Sequence, residues 1–191
     1  MTPTNEDLLQ ELAERIKKCT RCAELVRNRI QAVPGAGNPK AEIVFIGEAP
    51  GADEDRQGIP FVGQAGQLLN QLLSKVGIRR EDVFIGNVLK CRPPDNRTPE
   101  EPEIANCREY LHAQIALINP KLICTLGNPS LQTLVDRNLT IGKVHGQILQ
   151  KNGLNFFPIY HPAAALHKPG LRTDLVMDFE ALEKHLRRAS L

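Results

Sequence analysis

Ile43-Val44-Phe45-Ile46-Gly47-Glu48-Ala49-Pro50-Gly51 is an apolar run that stops abruptly at a polar turn containing Gly and Pro. Far along the chain, Phe157-Pro158-Ile159-Tyr160-His161-Pro162-Ala163 has the same design. Such runs read as strands buried on both faces, as in a parallel sheet. Loops at the carboxyl ends of parallel strands line the ligand crevice of α/β proteins. One of these loops offers a carboxylate, Glu48, and the other an imidazole, His161, so an active site is expected where they meet.

Working outward, strands are expected over residues 42–46, 83–89, 122–126 and 156–160. Helices fall between and around them. Leu8, Leu9, Leu12 and Ile16 have helical spacing behind a Thr4–Asp7 capping box, and this helix is expected to end near Cys19. Leu68, Leu69, Leu72, Leu73 and Val76 mark a second helix, stopped by Gly77. Thr98-Pro99-Glu100-Glu101 reads as a helix start with Thr98 as N-cap, and that helix runs to about Ile118. Gly127-Asn128-Pro129-Ser130 opens a short helix, and Leu175, Phe179, Leu182 and Leu186 form a terminal one. Residues 28–40 and 47–64 read as loops, the second too long for a mere connector. Residues 140–155 read as a hairpin or an irregular excursion. Strands alternating with helices give an α/β fold whose parallel sheet is covered on both faces. No repeat, low-complexity stretch or linker interrupts it, so residues 1–191 are expected to form one domain.

With 41% hydrophobic and 24% charged residues, the chain has the composition of a soluble globular protein with material for a real core. A net charge of +2 does not announce nucleic acid, although a DNA enzyme can concentrate its cations on one face. Arg79, Arg80, Lys90, Arg92 and Arg97 lie near the expected loops, whereas Arg187 and Arg188 end a helix and read as solvated charge. The polar, acidic N-terminus does not resemble a signal peptide, and no run approaches the roughly 20 apolar residues of a membrane span. A cytoplasmic, reducing location is expected. There, five Cys favour metal or cluster ligation over disulfides.

Cys19-x2-Cys22 forms a chelating hook at the end of the first helix, Cys91 follows the second strand, and Cys107 lies further on. Cys124 sits inside an apolar strand and reads as a small buried hydrophobe. Four thiolates can hold structural zinc or an iron–sulfur cluster. The second pair is not a hook, so spacing leaves both open, with unliganded thiols a third use. Either centre would pin the N-terminal helix to the loop after the second strand. Its loss would then damage folding before chemistry.

The Gly47–Gly51 turn superficially has the form of a phosphate loop. Glu48 would repel a phosphate, Pro50 removes a donor and no Lys follows, so that use is rejected. A carboxylate here suits polarising a water or stabilising positive charge; the competing use is a cap or turn. Phe61 could stack on a nucleobase or belong to the core. Asn87, inside an apolar strand, must be hydrogen-bonded. Its amide matches the edge of a pyrimidine, or it braces a neighbouring loop. His161 sits at the mouth of the sheet, a placement that His112, His145, His167 and His185 lack. Leu166, in an expected loop running through His167, Lys168 and Pro169, could wedge into a base stack or anchor its own loop.

These residues together carry a resemblance. The segments are Gly47-Glu48-Ala49-Pro50-Gly51, Glu54-Asp55, Pro60-Phe61-Val62-Gly63-Gln64-Ala65-Gly66-Gln67-Leu68-Leu69, Asn87-Val88-Leu89-Lys90-Cys91-Arg92-Pro93-Pro94 and His161-Pro162-Ala163. With the four-Cys order, they are similar to the family 4 uracil-DNA glycosylases, the iron–sulfur branch of that superfamily, over about residues 8–186. The resemblance implies a three-layer α/β/α sandwich with a central four-stranded parallel sheet. It implies a 4Fe-4S cluster on Cys19, Cys22, Cys91 and Cys107. It also implies a uracil pocket on Gly47, Glu48, Glu54, Phe61, Asn87 and His161, of which Glu48 and His161 are catalytic. The partner it implies is uracil-containing DNA, single- or double-stranded, bound by a monomer away from any membrane.

The expected reaction flips deoxyuridine out of the stack and hydrolyses its N-glycosidic bond, the first step of base excision repair. Phe61 would stack on the base, Asn87 would read its edge, and Glu54 would crowd its C5 side. His161 would stabilise charge at O2, and Glu48 the cationic sugar or the water; Ala49 has no group able to do so. A sister branch that crosslinks to DNA carries a Lys-Arg-Arg-Ile-His run after the second strand. Here that loop reads Arg92-Pro93-Pro94-Asp95-Asn96-Arg97-Thr98, so turnover is expected. Two other readings compete: a cluster-bearing DNA sensor without excision, and a glycosylase for another lesion such as hypoxanthine.

Overall fold

The computed structural model describes residues 2–189. Its strands are β1 Ala36–Gly37, β2 Ile43–Gly47, β3 Phe84–Asn87, β4 Leu122–Leu126, β5 Leu149–Lys151 and β6 Leu154–Ile159. Its helices are α1 Asn5–Lys17, α2 Ala23–Asn28, α3 Ala52–Gln57, α4 Gln64–Lys75, α5 Glu101–Ile118, α6 Asn128–Leu134, α7 Ile141–Val144, α8 Pro162–His167 and α9 Pro169–Ala189. The sheet order is β1-β3-β2-β4-β6-β5. The inner four strands are mutually parallel, as expected. Two short antiparallel edges, β1 and β5, widen the sheet beyond the expected four strands.

Alternation along β2 generates the layers. Ile43 and Phe45 enter one core with Leu69, Leu73, Phe157, Phe179 and Leu182. Val44 and Ile46 enter another with Phe84, Leu111, Ile115, Leu131 and Phe156. Helices α4, α8 and α9 therefore cover one face, and α5, α6 and α7 the other. Each fully buried Leu or Phe in these layers contributes about 1.5–3 kcal/mol. A third cluster joins Leu12 and Ile16 of α1 and Leu25 of α2 to Leu89, Tyr110, Cys91 and Cys107. It seats the N-terminal helices over the loop that follows β3.

Several element boundaries differ from expectation. β3 stops at Asn87, because Val88 and Leu89 leave the ladder to pair with the carbonyls of Gly47 and Glu48. α1 ends at Lys17 and is capped at its start by the Thr4–Asp7 box. α5 begins two residues later than expected, with Glu100 rather than Thr98 as its cap. The reason is Glu103: its carboxylate accepts from the Glu100 N–H and from both terminal nitrogens of Arg97. The 47–64 segment contains α3, ended by Gly58 in the left-handed conformation. The 140–155 excursion resolves into α7 and a β5–β6 hairpin, turned by Asn152 and Gly153 at φ of 51° and 77°. Among the described residues no helix is long and apolar enough to cross a membrane.

Candidate active site and cysteine centre

β2 and β3 lie side by side and end together, with Gly47 in register with Asn87. The pairing continues past the strands: Val88 N–H donates to Gly47 O and Leu89 N–H to Glu48 O, each at 3.0 Å. Glu48 and Asn87 thus start from one rigid corner. A Cβ on Gly47 would stand 2.5 Å from Asn87 Oδ1 and 2.6 Å from Phe61 Cζ. Only glycine lets the strand end, the amide and the ring share that corner. Asn87 is 2% exposed, and its Oδ1 has no hydrogen-bond partner among the described residues. Leaving such an oxygen unsatisfied costs about 1–3 kcal/mol, so it marks a place for a ligand donor.

β6 ends at Ile159, and His161 caps the start of α8, its Nδ1 accepting from the Ala163 N–H at 3.1 Å. An Nδ1 that accepts leaves the proton of the neutral ring on Nε2. Burial pulls His161 down to about 4, against a smaller upward pull from Glu54, so the ring is neutral near pH 7. Its ring lies 5.6 Å from that of Phe61, with 29° between the planes. Glu48 is half-buried, and burial raises its pKa. The structure therefore brings Gly47, Phe61, Asn87 and His161 together, with Glu48 on the residue next to Gly47.

Glu54 belongs to the frame of this corner. Its Oε1 accepts from the N–H groups of Val62 and Gly63, both at 2.9 Å, and its Oε2 from Gly51 N–H at 3.1 Å. Three residues that sequence reasoning did not assign complete the frame. Arg80 donates to the carbonyls of Phe61 and Pro60 at 3.0 and 2.5 Å and to Asn70 Oδ1 at 2.7 Å. Phe61 needs this hold, because its φ of 52° is unfavourable for a bulky side chain. Gly66 admits the Phe61 backbone: a Cβ there would fall 1.9 Å from Phe61 O. Buried Asp55 accepts from Ile30 N–H and Gln31 N–H, tying α3 to the segment after α2. Only the glycine and the helix-start carboxylates left a sequence signal; nothing local to Arg80 points to Phe61.

Leu166 lies on helix α8 and not in the loop expected for it. It is 40% exposed and is followed by exposed His167 and Lys168. A cavity of about 1100 Å³ lies between α5, α6 and the β5–β6 hairpin, and no expected site residue lines it.

The four cysteines expected to act together share one neighbourhood. Cys91 and Cys107 are buried in the third cluster, and Cys19 and Cys22 pack against it. Arg29 donates to Cys91 Sγ at 2.8 Å and also to Cys19 O at 2.7 Å. Asn106 Nδ2 lies 3.5 Å from Cys22 Sγ, and the Lys90 backbone N–H hydrogen-bonds the Cys107 sulfur. Burial pushes Cys91 upward and Cys107 to about 11, so ligation there must displace protons. Among the described residues no three His, Cys, Asp or Glu side chains form a group that could hold a single metal ion. An all-sulfur donor set supplied with N–H and guanidinium donors suits a thiolate-bound cluster. Cys124 is fully buried in β4 and its thiol is pushed well up by burial, as its reading as a core residue requires.

Fold and site define a three-layer α/β/α protein whose crevice, at the carboxyl ends of parallel strands, presents a ring, an amide, a carboxylate and a neutral imidazole. The family model of the uracil DNA glycosylase superfamily matches residues 34–186. A type-4 uracil-DNA glycosylase of Saccharolobus solfataricus is 49% identical over 189 residues, covering 94% of this chain and 87% of the relative. Another, of Thermotoga maritima, is 45% identical and covers 97% of this chain and 98% of the relative. A type-5 uracil-DNA glycosylase of Pyrobaculum aerophilum is 27% identical over 94% of this chain and 91% of its own length. The chain belongs to the type-4 uracil-DNA glycosylases.

Proposed function

We propose that this protein excises uracil from DNA, hydrolysing the N-glycosidic bond and leaving an abasic site. The observation that carries the reading is the pairing of a neutral His161, protonated on Nε2, with the buried, unpartnered Oδ1 of Asn87 across the Phe61 ring. A flipped uracil fits that arrangement. Phe61 stacks on the base. Asn87 Oδ1 accepts from N3–H, and its Nδ2 donates to O4. Cytosine reverses that order and is rejected. Glu54 keeps the 51–63 segment closed around the C5 side.

When the bond from C1′ to N1 breaks, its electron pair leaves with the base and negative charge spreads onto O2 and O4. The Nε2–H of His161 donates to O2. Such a donor is worth roughly a hundred- to a thousandfold in rate. The sugar becomes cationic, and Glu48 stabilises it and orients the water that adds to C1′. The water's proton passes to Glu48 or to solvent. Leu166, exposed beside His167 and Lys168, is the residue we assign to filling the gap in the base stack.

We infer a 4Fe-4S cluster on Cys19, Cys22, Cys91 and Cys107. Bound there, it would supply a cross-link among the end of α1, the loop after β3 and α5, and no redox step. The protein is read as a monomer in a reducing, cytoplasmic setting, acting on single- or double-stranded DNA. The test is excision from matched oligonucleotides carrying uracil, hypoxanthine or thymine, single-stranded and mispaired. Abasic product from uracil alone is expected. Intact DNA binding without product from any substrate would replace this reading with that of a non-catalytic sensor.

A further inference from the structure

Lys90 is 1% exposed and buried between the cysteine centre and the catalytic corner. Its Nζ donates to Asn87 O at 2.8 Å and to Gln114 Oε1 at 2.6 Å. Gln114 in turn donates from Nε2 to Pro34 O at 2.7 Å. The Lys90 main chain is equally committed: its carbonyl accepts from Val33 N–H at 2.7 Å, and its N–H hydrogen-bonds Cys107. One residue thus touches α5 twice, the 33–34 segment and the end of β3.

An ammonium buried this deeply is costly unless it is fully hydrogen-bonded. A methionine would fill much the same space without that cost, so packing does not explain the charge. The partner that does is the Asn87 carbonyl. Asn87 is the last residue of β3, and the peptide joining it to Val88 is gripped at both ends. Its N–H donates to Gly47 O, and its C=O accepts from Lys90 Nζ. The plane of that peptide sets the direction in which the Asn87 side chain leaves the strand. The side chain has little room for error, since its Oδ1 lies against Gly47 at the edge of the Phe61 ring.

We propose that Lys90 is a positioning residue for uracil recognition: its ammonium locks the Asn87–Val88 peptide and so aims the Asn87 amide, while its backbone ties that peptide to Cys107. The inference rests on the reading of Asn87 as the group that contacts uracil. It goes beyond that reading by making base recognition depend on a side chain that never touches the base. It also gives the cysteine centre a route to the pocket that is mechanical: Cys107 holds Lys90, and Lys90 holds Asn87.

The test is a double-variant cycle on cluster-loaded protein with Lys90→Met, Asn87→Ala and both together. Single-turnover excision from a uracil-containing single strand and inhibition by free uracil are read for each. With visible cluster absorption retained, Lys90→Met is expected to slow excision roughly tenfold or more and to weaken uracil inhibition in parallel, the scale on which neighbours in one hydrogen-bond network couple. Affinity for an abasic-site DNA should stay within about twofold, which a general loosening of the fold would not spare. The double variant should be no slower than Asn87→Ala alone. Independent multiplication of the two effects, or a Lys90→Met enzyme indistinguishable from the parent, would overturn the proposal. If Lys90→Met does not fold or load, the same cycle is run with Gln114→Leu, which removes the second partner of the ammonium and leaves the charge. The underlying assignment fails separately: Asn87→Ala with unchanged rate and unchanged uracil inhibition would refute the pocket, whatever Lys90 does.

Discussion

Lowering the pH from about 8 to about 5.5 is expected to leave the chemical step nearly unchanged so far as His161 is concerned. The hydrogen bond from Ala163 N–H to Nδ1 and the burial of the ring together favour its neutral form. With a pKa of about 4, the ring is still about 97% neutral at pH 5.5; at the ordinary 6.5 it would be about 9% neutral. The difference is roughly tenfold in the population able to keep its Nδ1 acceptor and its Nε2–H donor. The assay is single-turnover excision with enzyme in excess, so that substrate affinity and product release drop out. Glu48 also titrates on the acid side, because burial raises its pKa. Its contribution is separated by repeating the profile in Glu48→Gln, slower throughout but free of that limb. A loss of about tenfold centred near pH 6.5 that persists in Glu48→Gln and vanishes in His161→Ala would refute the neutral-imidazole mechanism. The same shift has a stability consequence of fixed sign. As pH falls from about 6.5 to about 4, the unfolded chain takes up a proton at residue 161 that the folded chain refuses. The stability so lost approaches about 3 kcal/mol and is absent from His161→Asn.

Replacing Asn87 by Asp exchanges an amide that donates and accepts for a carboxylate that only accepts, so uracil excision should fall roughly a hundredfold while DNA affinity holds. Unchanged discrimination between uracil and cytosine in that variant would remove Asn87 from base reading. Gly66→Ala should cost about 3 kcal/mol or more, since its Cβ would fall 1.9 Å from the Phe61 carbonyl; thermal or urea unfolding checks it, and a loss under about 1 kcal/mol would show that the approach relaxes easily. Cys107→Ala should abolish visible cluster absorption and lower the unfolding midpoint, whereas Cys124→Ala should keep the absorption and lose only about 1–2 kcal/mol of core packing. Equal spectra for the two variants would separate Cys107 from the cluster.

The layered fold was legible because it depends on short-range pattern. Continuous apolar runs such as Ile43–Gly47 and Leu122–Leu126 announce strands buried on both faces, and β-strand geometry then decides which residue enters which core. The outer strands were not legible: Ala36 and Gly37 have no apolar signature, and they are a strand only because Phe84 and Ile85 lie beside them. The start of α5 misled for the same reason. Thr98 has the chemistry of a cap, but Arg97 and Glu103 form a fork that also holds Glu24 of α2, and this tertiary tie sets the helix start at Glu101. At the site, Gly47, Phe61, Asn87 and His161 carried visible signals, a turn glycine and polar groups at strand ends. Arg80 and Lys90 carried none that points to the site, because the site groups they hold are main-chain carbonyls, of Pro60, Phe61 and Asn87, and a carbonyl leaves no mark on the sequence.

That asymmetry has a physical origin. A crevice at strand ends must hold irregular backbone still without a ladder to satisfy it, and every buried carbonyl there needs a donor. Water could serve at an open loop, but not under Phe61 or Asn87, where the chain is buried. The donors left are long cationic side chains reaching in from elsewhere. Arg80 serves Pro60 and Phe61, and Lys90 serves Asn87. Glu54 does the converse for N–H groups, gathering Gly51, Val62 and Gly63 on one carboxylate. These three charged side chains hold the strained Phe61, the start of α3 at Gly51 and the Asn87 end of β3 in one arrangement. Their substitution should therefore slow chemistry in proportion to the loop they release. The Phe61 ring and the Asn87 amide depend for their aim on charges whose partners include the main-chain carbonyls of Pro60, Phe61 and Asn87.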